Sequence, residues 1–148
     1  MIRVERAIRI AAPAALAWKV LGDFAATDLA AGICKRITVE GAGVGAVRTM
    51  VLDDRFGDGY VRERLESFDP VDRFMSYRLI DSGPVPFADY IGTIRVTPAG
   101  PDACVAVMTS AFVPVEIDEE TARQISISNI ETALANAWQA VLARSSTI

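Results

Sequence analysis

The chain opens on an alternation. In MIRVERAIRI the apolar residues Ile2, Val4, Ile8 and Ile10 fall on one side, with Arg3, Glu5 and Arg9 on the other. A period of two marks a strand with one buried face. The period then lengthens. Ala12-Pro13 opens a helical segment, since proline is tolerated in a first turn. Leu16, Val20 and Phe24 follow at helical spacing, with Trp18 and Leu21 beside them, until Gly22-Asp23 ends or bends the helix. A second short helix or turn is expected over 25–31. From Ile33 onward, β-branched and aromatic runs recur between turn signals and predict strands over 33–40, 46–53, 60–68, 73–81, 89–98 and 103–113. The breaks between them leave no room for helical crossovers, so neighbouring strands must pair antiparallel.

The pattern lengthens again at the end. Asp118 can cap a long helix, and Glu119 and Glu120 stand where the helix dipole favours anions. Ile127, Ile130, Leu134, Ala137, Trp138, Val141 and Leu142 form a continuous stripe that needs a large apolar partner. The sheet is the partner available. The expected fold is therefore α+β, a single domain over 1–148. It is a curved seven-stranded antiparallel sheet around a long C-terminal helix, with two short helices after strand one. A helix laid across the concave face of such a sheet can leave a space beneath it.

Composition narrows the chemistry. About half of the 148 residues are apolar and the formal net charge is -4, with acids and bases mixed. That balance suits a soluble globular domain and speaks against nucleic-acid binding. No apolar run is long enough for stable membrane insertion. The charged N-terminus does not read as a signal peptide, so a cytoplasmic location is expected. There is no histidine, which removes Ser-His-Asp and Cys-His nucleophile systems and HExxH zinc sites. Cys34 and Cys104 stand far apart and form no CxxC. No metal and no cofactor is expected, and proton transfer would fall to Asp, Glu, Tyr, Lys, Arg or water.

One stretch argues for a cofactor at first sight. In VEGAGVGAVR, Gly41, Gly43 and Ala46 fit the spacing of a dinucleotide-binding turn. Such a turn must open a helix whose N-terminus receives the pyrophosphate. The apolar spacing of Val47, Met50 and Val51 suits a helix as well as a strand, but the surrounding hairpin texture favours the strand. The glycines then serve a tight reversal.

The order of elements, together with Trp18, Gly43-Val-Gly-Ala-Val-Arg48, Glu63-Arg64-Leu65 and Asp89-Tyr90, resembles the START/birch-pollen-allergen superfamily with its helix-grip fold. Within it, the chain is similar to the polyketide cyclase/dehydrase and lipid-transport family over nearly its whole length. The resemblance implies a hydrophobic cavity and a small or lipid-like ligand. It does not imply one reaction, since function lives in the site rather than the fold. The plant abscisic-acid receptors share much of the pattern. This chain lacks their gate and latch sequences, so the resemblance carries no hormone signalling.

Strand parity then points to cavity residues. In YVRERLES, Arg62, Arg64 and Glu66 must face water, which turns Glu63 inward with Val61 and Leu65. A buried carboxylate is costly unless paired or protonated, so Glu63 is the candidate for ligand contact or for a general acid or base. An internal ion pair is the competing reading. In the strand before it, alternation alone does not choose between Arg48, Met50 and Leu52 and the opposite set. The family pattern puts Arg48, Met50 and Leu52 inward, where Arg48 could balance Glu63. Met75, Tyr77 and Leu79 form a further inward set, as do Tyr90 and Gly92 with Ile94 and Val96. The last strand is expected to turn Val107, Thr109 and Ala111 inward, with Thr109 standing where the receptors it resembles carry an acid. Ile127, Ile130 and Leu134 would roof the space, with Glu131 at its rim. The loops 53–59 and 82–87 are expected at its mouth. These residues point to a binder of a small hydrophobic molecule. The alternative is a metal-free cyclase or dehydratase acting on a polyketide-like or aromatic substrate through Glu63. A third reading, an interaction domain that inherited the fold, would need a filled, dry core.

Overall fold

The computed structural model describes residues 1–56 and 58–145. Gly57, inside the loop expected at the mouth, lies outside the described residues. The opening alternation forms strand β1 (Ile2–Ile10), with Ile2, Val4 and Ile10 buried. Helix α1 (Ala14–Leu21) follows, and the carbonyl of Pro13 accepts from the amides of Leu16 and Ala17. The expected second short helix is a single 3-10 turn at Asp28–Ala30.

The remaining strands are β2 (Cys34–Glu40), β3 (Val47–Leu52), β4 (Tyr60–Asp69), β5 (Phe74–Asp81), β6 (Phe87–Pro98) and β7 (Cys104–Pro114). They form one antiparallel seven-stranded sheet in the order β1-β7-β6-β5-β4-β3-β2. The run from β2 to β7 is a meander, and β1 closes its far side by pairing with β7 from Ile2↔Phe112 to Ile10↔Cys104. The Gly-rich stretch is the hairpin loop between β2 and β3. Gly41, Gly43 and Gly45 all take positive φ there, at 87°, 68° and 95°, and β3 rather than a helix follows.

Helix α2 (Glu119–Ser145) begins at Asp118, whose carboxylate accepts from the Thr121 amide at 3.1 Å. Its buried face is Ala122, Ser126, Ile130, Ala133, Leu134, Ala137 and Val141. These residues recur at steps of three and four and pack into one core with α1 and the inner face of the sheet. The face is rotated from the one hydrophobicity predicts. Trp138 is exposed and Ile127 only half-buried, whereas Ser126 is buried. A hydrogen bond of 2.6 Å between Ser126 and Ser110, both buried, lets two hydroxyls sit in the seam between α2 and β7.

One irregularity bears on the site. Between Ala88↔Val113 and Ile91↔Ala111 the register of β6 against β7 shifts, leaving one extra residue on β6. Asp89, at φ 53°, takes the left-handed conformation within this bulge. The extra residue brings Phe87 and Tyr90 to the same side of the sheet, their rings 5.9 Å apart.

Candidate functional site

Beneath α2 lies a cavity of about 300 Å³. Its floor is the inner face of β2 to β7, its roof is Ile125, Asn129, Ile130 and Ala133 of α2, and one wall is the segment after α1. Pro84 to Phe87 and the 3-10 turn at Asp54–Phe56 complete the lining, so both expected mouth loops contribute to it. The two loops also touch, since a methyl group on Gly59 would come within 3.0 Å of the Pro84 ring.

The lining is mainly apolar; Asp23 and Asn129 each add a polar group, and Arg48, Glu63, Tyr77 and Tyr90 stand on adjacent strands. Register pairs Arg48 of β3 directly with Glu63 of β4. Nε and Nη2 of Arg48 both donate to Glu63 Oε1, at 2.8 and 2.6 Å. The Nη1 group donates to the Phe24 carbonyl at 3.2 Å. The guanidinium carbon also lies over two rings, 4.2 Å from the centroid of Phe24 and 4.8 Å from that of Tyr77. Burial works most strongly against the Arg48 charge, but the surrounding groups, Glu63 foremost with Tyr77 and Tyr90, together outweigh it and hold the guanidinium above its ordinary value. Both Arg48 bonds land on Oε1. No buried side-chain polar atom among the described residues lacks a partner, and Glu63 is part of the cavity lining.

Tyr77 and Tyr90 stand beside this pair. Burial pushes both phenols well up, and the Glu63 charge adds to it, so both remain neutral donors. Cys34 on β2 also lines the cavity. Burial first, then the Glu63 charge, pushes its thiol up to about 11.

The structure brings together Arg48, Met50, Leu52, Glu63, Met75, Tyr77, Leu79, Tyr90 and Ile130 around this space. Four other expected residues are placed elsewhere. Thr109 faces the outer side of the sheet, where its hydroxyl meets that of Thr93, its cross-strand partner. β7 has the opposite parity to the one expected: Ala106, Met108, Ser110 and Phe112 face inward. Both faces of this strand carry small and apolar residues, so its alternation gives no direction, and packing under α2 decides it. Ile127 sits on the flank of α2 beside Glu131, which forms an ion pair with Arg6 at 3.5 Å. Leu134 is buried in the core outside the cavity lining. Gly92 does not line the cavity either. The Tyr77 ring occupies the space over it, and a Cβ there would lie 2.3 Å from that ring.

Sequence reasoning missed the segment after α1 and the contribution of β2. Ala26, Leu29, Ala30 and Ile33 wall the cavity, and the amide of Asn136 on α2 holds their turn by donating to the carbonyls of Leu29 and Ala31. The residues 25–31 carry too little periodicity to show a face, and Asn136 is one polar residue among many on α2.

A long helix gripped by a curved antiparallel sheet, with a cavity between them, defines a helix-grip protein. The chain belongs to the polyketide cyclase/dehydrase and lipid transport family, whose model matches residues 1–144. No curated protein sequence matches it. Among solved structures it is similar to XoxI from Bacillus cereus, at 23% identity and a TM-score of 0.80 over 96% of each chain. The Zhui aromatase/cyclase from Streptomyces sp. R1128 superposes with a TM-score of 0.76 at 22% identity, over 98% of this chain and 93% of that one. Truncated norcoclaurine synthase from Thalictrum flavum gives 0.79 at 20% identity, over 95% and 93%. At these identities the likeness is one of fold.

Proposed function

We propose that the protein takes a small, mainly apolar organic molecule into the cavity between the sheet and α2. The carrying observation is the cavity itself, about 300 Å³ of largely apolar lining with a few polar groups gathered at Arg48, Glu63, Tyr77 and Tyr90. That is the usual composition of a small-molecule site, where apolar walls supply affinity and a few polar groups supply orientation. Family membership supports the same reading. Native mass spectrometry of the purified protein, followed by denaturing extraction, tests it. The expected result is a co-purifying organic molecule or a stoichiometric adduct with an added hydrophobic probe. A protein that carries nothing and takes up no probe defeats the proposal.

One observation favours a second reading, a metal-free cyclase or dehydratase acting on an aromatic or polyketide-like substrate. Glu63 lines the cavity beside two neutral phenols, and its Oε2 takes neither Arg48 bond. A carboxylate oxygen and phenolic donors around one space can move a proton and steady a developing enolate or phenolate. The same fold serves an aromatase/cyclase, and a norcoclaurine synthase crystallised with dopamine and hydroxybenzaldehyde. Glu63→Gln separates the readings. Under the enzyme reading a bound substrate stays unconverted in the variant, whereas a ligand that the wild-type protein binds but never converts leaves only the binding role.

A further inference from the structure

The bonding of Arg48 restricts what the cavity can hold, an inference that rests on the reading of the cavity as a binding site. The Nε–Nη2 edge of a guanidinium is one that grips a carboxylate with two parallel bonds. In Arg48 that edge is spent on Glu63 Oε1, Nη1 donates to the Phe24 carbonyl, and the Cζ atom lies over the Phe24 and Tyr77 rings. The edge of the cavity's buried cation best suited to a carboxylate is therefore already taken. What the lining does present beside that pair is the Glu63 carboxylate as an acceptor, whose Oε2 takes neither Arg48 bond, with neutral phenols near it and Asp23 and Asn129 elsewhere in the lining.

We infer that the ligand is an uncharged molecule whose polar end is a hydrogen-bond donor, a hydroxyl or phenol, and that the site discriminates against carboxylates and ammonium groups. The reason is charge balance. Arg48 and Glu63 neutralise each other, with side chains only 11% and 6% exposed. An added carboxylate would bring a second negative charge beside Glu63, and an added ammonium a second positive charge beside Arg48. Either would be an uncompensated charge in apolar surroundings. The protein's own acids behave accordingly. Cys34, Tyr77 and Tyr90 share this space, and all three are held in their neutral forms above their ordinary ranges, with burial as the main cause, despite the nearby guanidinium.

Calorimetric titration of the full chain at pH 7 with four ligands of one skeleton tests this: 2-naphthol, 2-naphthoate, 2-naphthylmethylamine and naphthalene. Naphthol is expected to bind at least about tenfold more tightly than either charged analogue, and more tightly than naphthalene. Naphthoate or the amine binding as tightly as naphthol overturns the inference and leaves the cavity reading standing. Naphthalene matching naphthol overturns the assignment of a donor. Binding by none of the four overturns the cavity reading and this inference together. Glu63→Gln keeps an oxygen for the two Arg48 bonds but removes the negative charge that balances the guanidinium, so it should reverse the order of naphthol and naphthoate. An unchanged order in the folded variant counts against the inference. If that variant does not fold, the four wild-type titrations still decide it.

Discussion

Strand β4 carries two acid–arginine clusters back to back, and they differ in everything except residue type. On its inner face Glu63 binds Arg48 with side chains 6% and 11% exposed. On its outer face, Glu66 binds Arg64 at 2.8 Å and Arg78 at 3.4 Å, with side chains roughly a third to two-fifths exposed. Arg64 and Arg78 are direct cross-strand partners, so Glu66 also relieves a like-charge pair. Water screens the outer cluster and supplies alternative partners for every group in it. The inner pair has no such reserve: each partner depends on the other, on one backbone carbonyl and on two rings. The lesson is that an ion pair's consequences follow from which face of the strand it occupies. Outside it tunes the surface, and inside it fixes the charge of the cavity.

Breaking the inner pair on one side should have the largest effect. Glu63→Ala leaves the Arg48 charge buried and is expected to cost about 3–5 kcal/mol in urea unfolding. A loss below about 1 kcal/mol would mean that water already reaches the pair. Removing both charges sharpens the point. Arg48→Met with Glu63→Leu should recover most of that loss, or exceed wild-type stability by up to about 4 kcal/mol, while losing any preference for a polar ligand. A double variant no more stable than Glu63→Ala would show that shape rather than charge dominates this wall.

Next comes a direct reading of the inner environment. The Cys34 thiol is raised from 9.0 to about 11. At pH 9 its alkylation by iodoacetamide should therefore be ~50-fold slower than that of a free peptide thiol, rising as the pH approaches 11. The linked stability has a definite sign. The raised value contributes stability in full below 9.0, and the contribution is lost as the pH climbs to about 11, because the unfolded thiol ionises first. A denaturation midpoint that rises over this interval in wild type relative to Cys34→Ala would contradict it. The smallest effect belongs to the outer face. Glu66→Ala should cost about 0–1 kcal/mol, and salt should shrink that loss further. A larger, salt-insensitive loss would remove the contrast between the faces.

Much of this arrangement is legible in local pattern. YVRERLES determines the direction of Glu63, because three charged residues at alternate positions must face water and leave the fourth no choice. Alternation in RFMSYRLID places Met75 and Tyr77 inward by the same argument, and the glycines of VEGAGVGAVR show a hairpin once the strands around them are read. These residues owe their placement to the contrast between water and core, which a strand's own sequence records.

Other features were settled by packing alone. β7 is apolar on both faces, so its sequence carries no contrast, and only contact with α2 turns Met108 and Ser110 inward and Thr109 out. Bulky residues mislead on α2, where the close approach of helix and sheet favours Ala122, Ser126, Ala133 and Ala137 over Trp138 and Ile127. The bulge at Asp89 shifts the parity of β6 by one residue, and the partner strand defines it. The sequence by itself thus determined the strands, the long helix and the inward acid. Only the tertiary structure decided which surfaces meet, how Arg48 spends its hydrogen bonds and where the cavity lies, because each depends on groups brought together from distant parts of the chain.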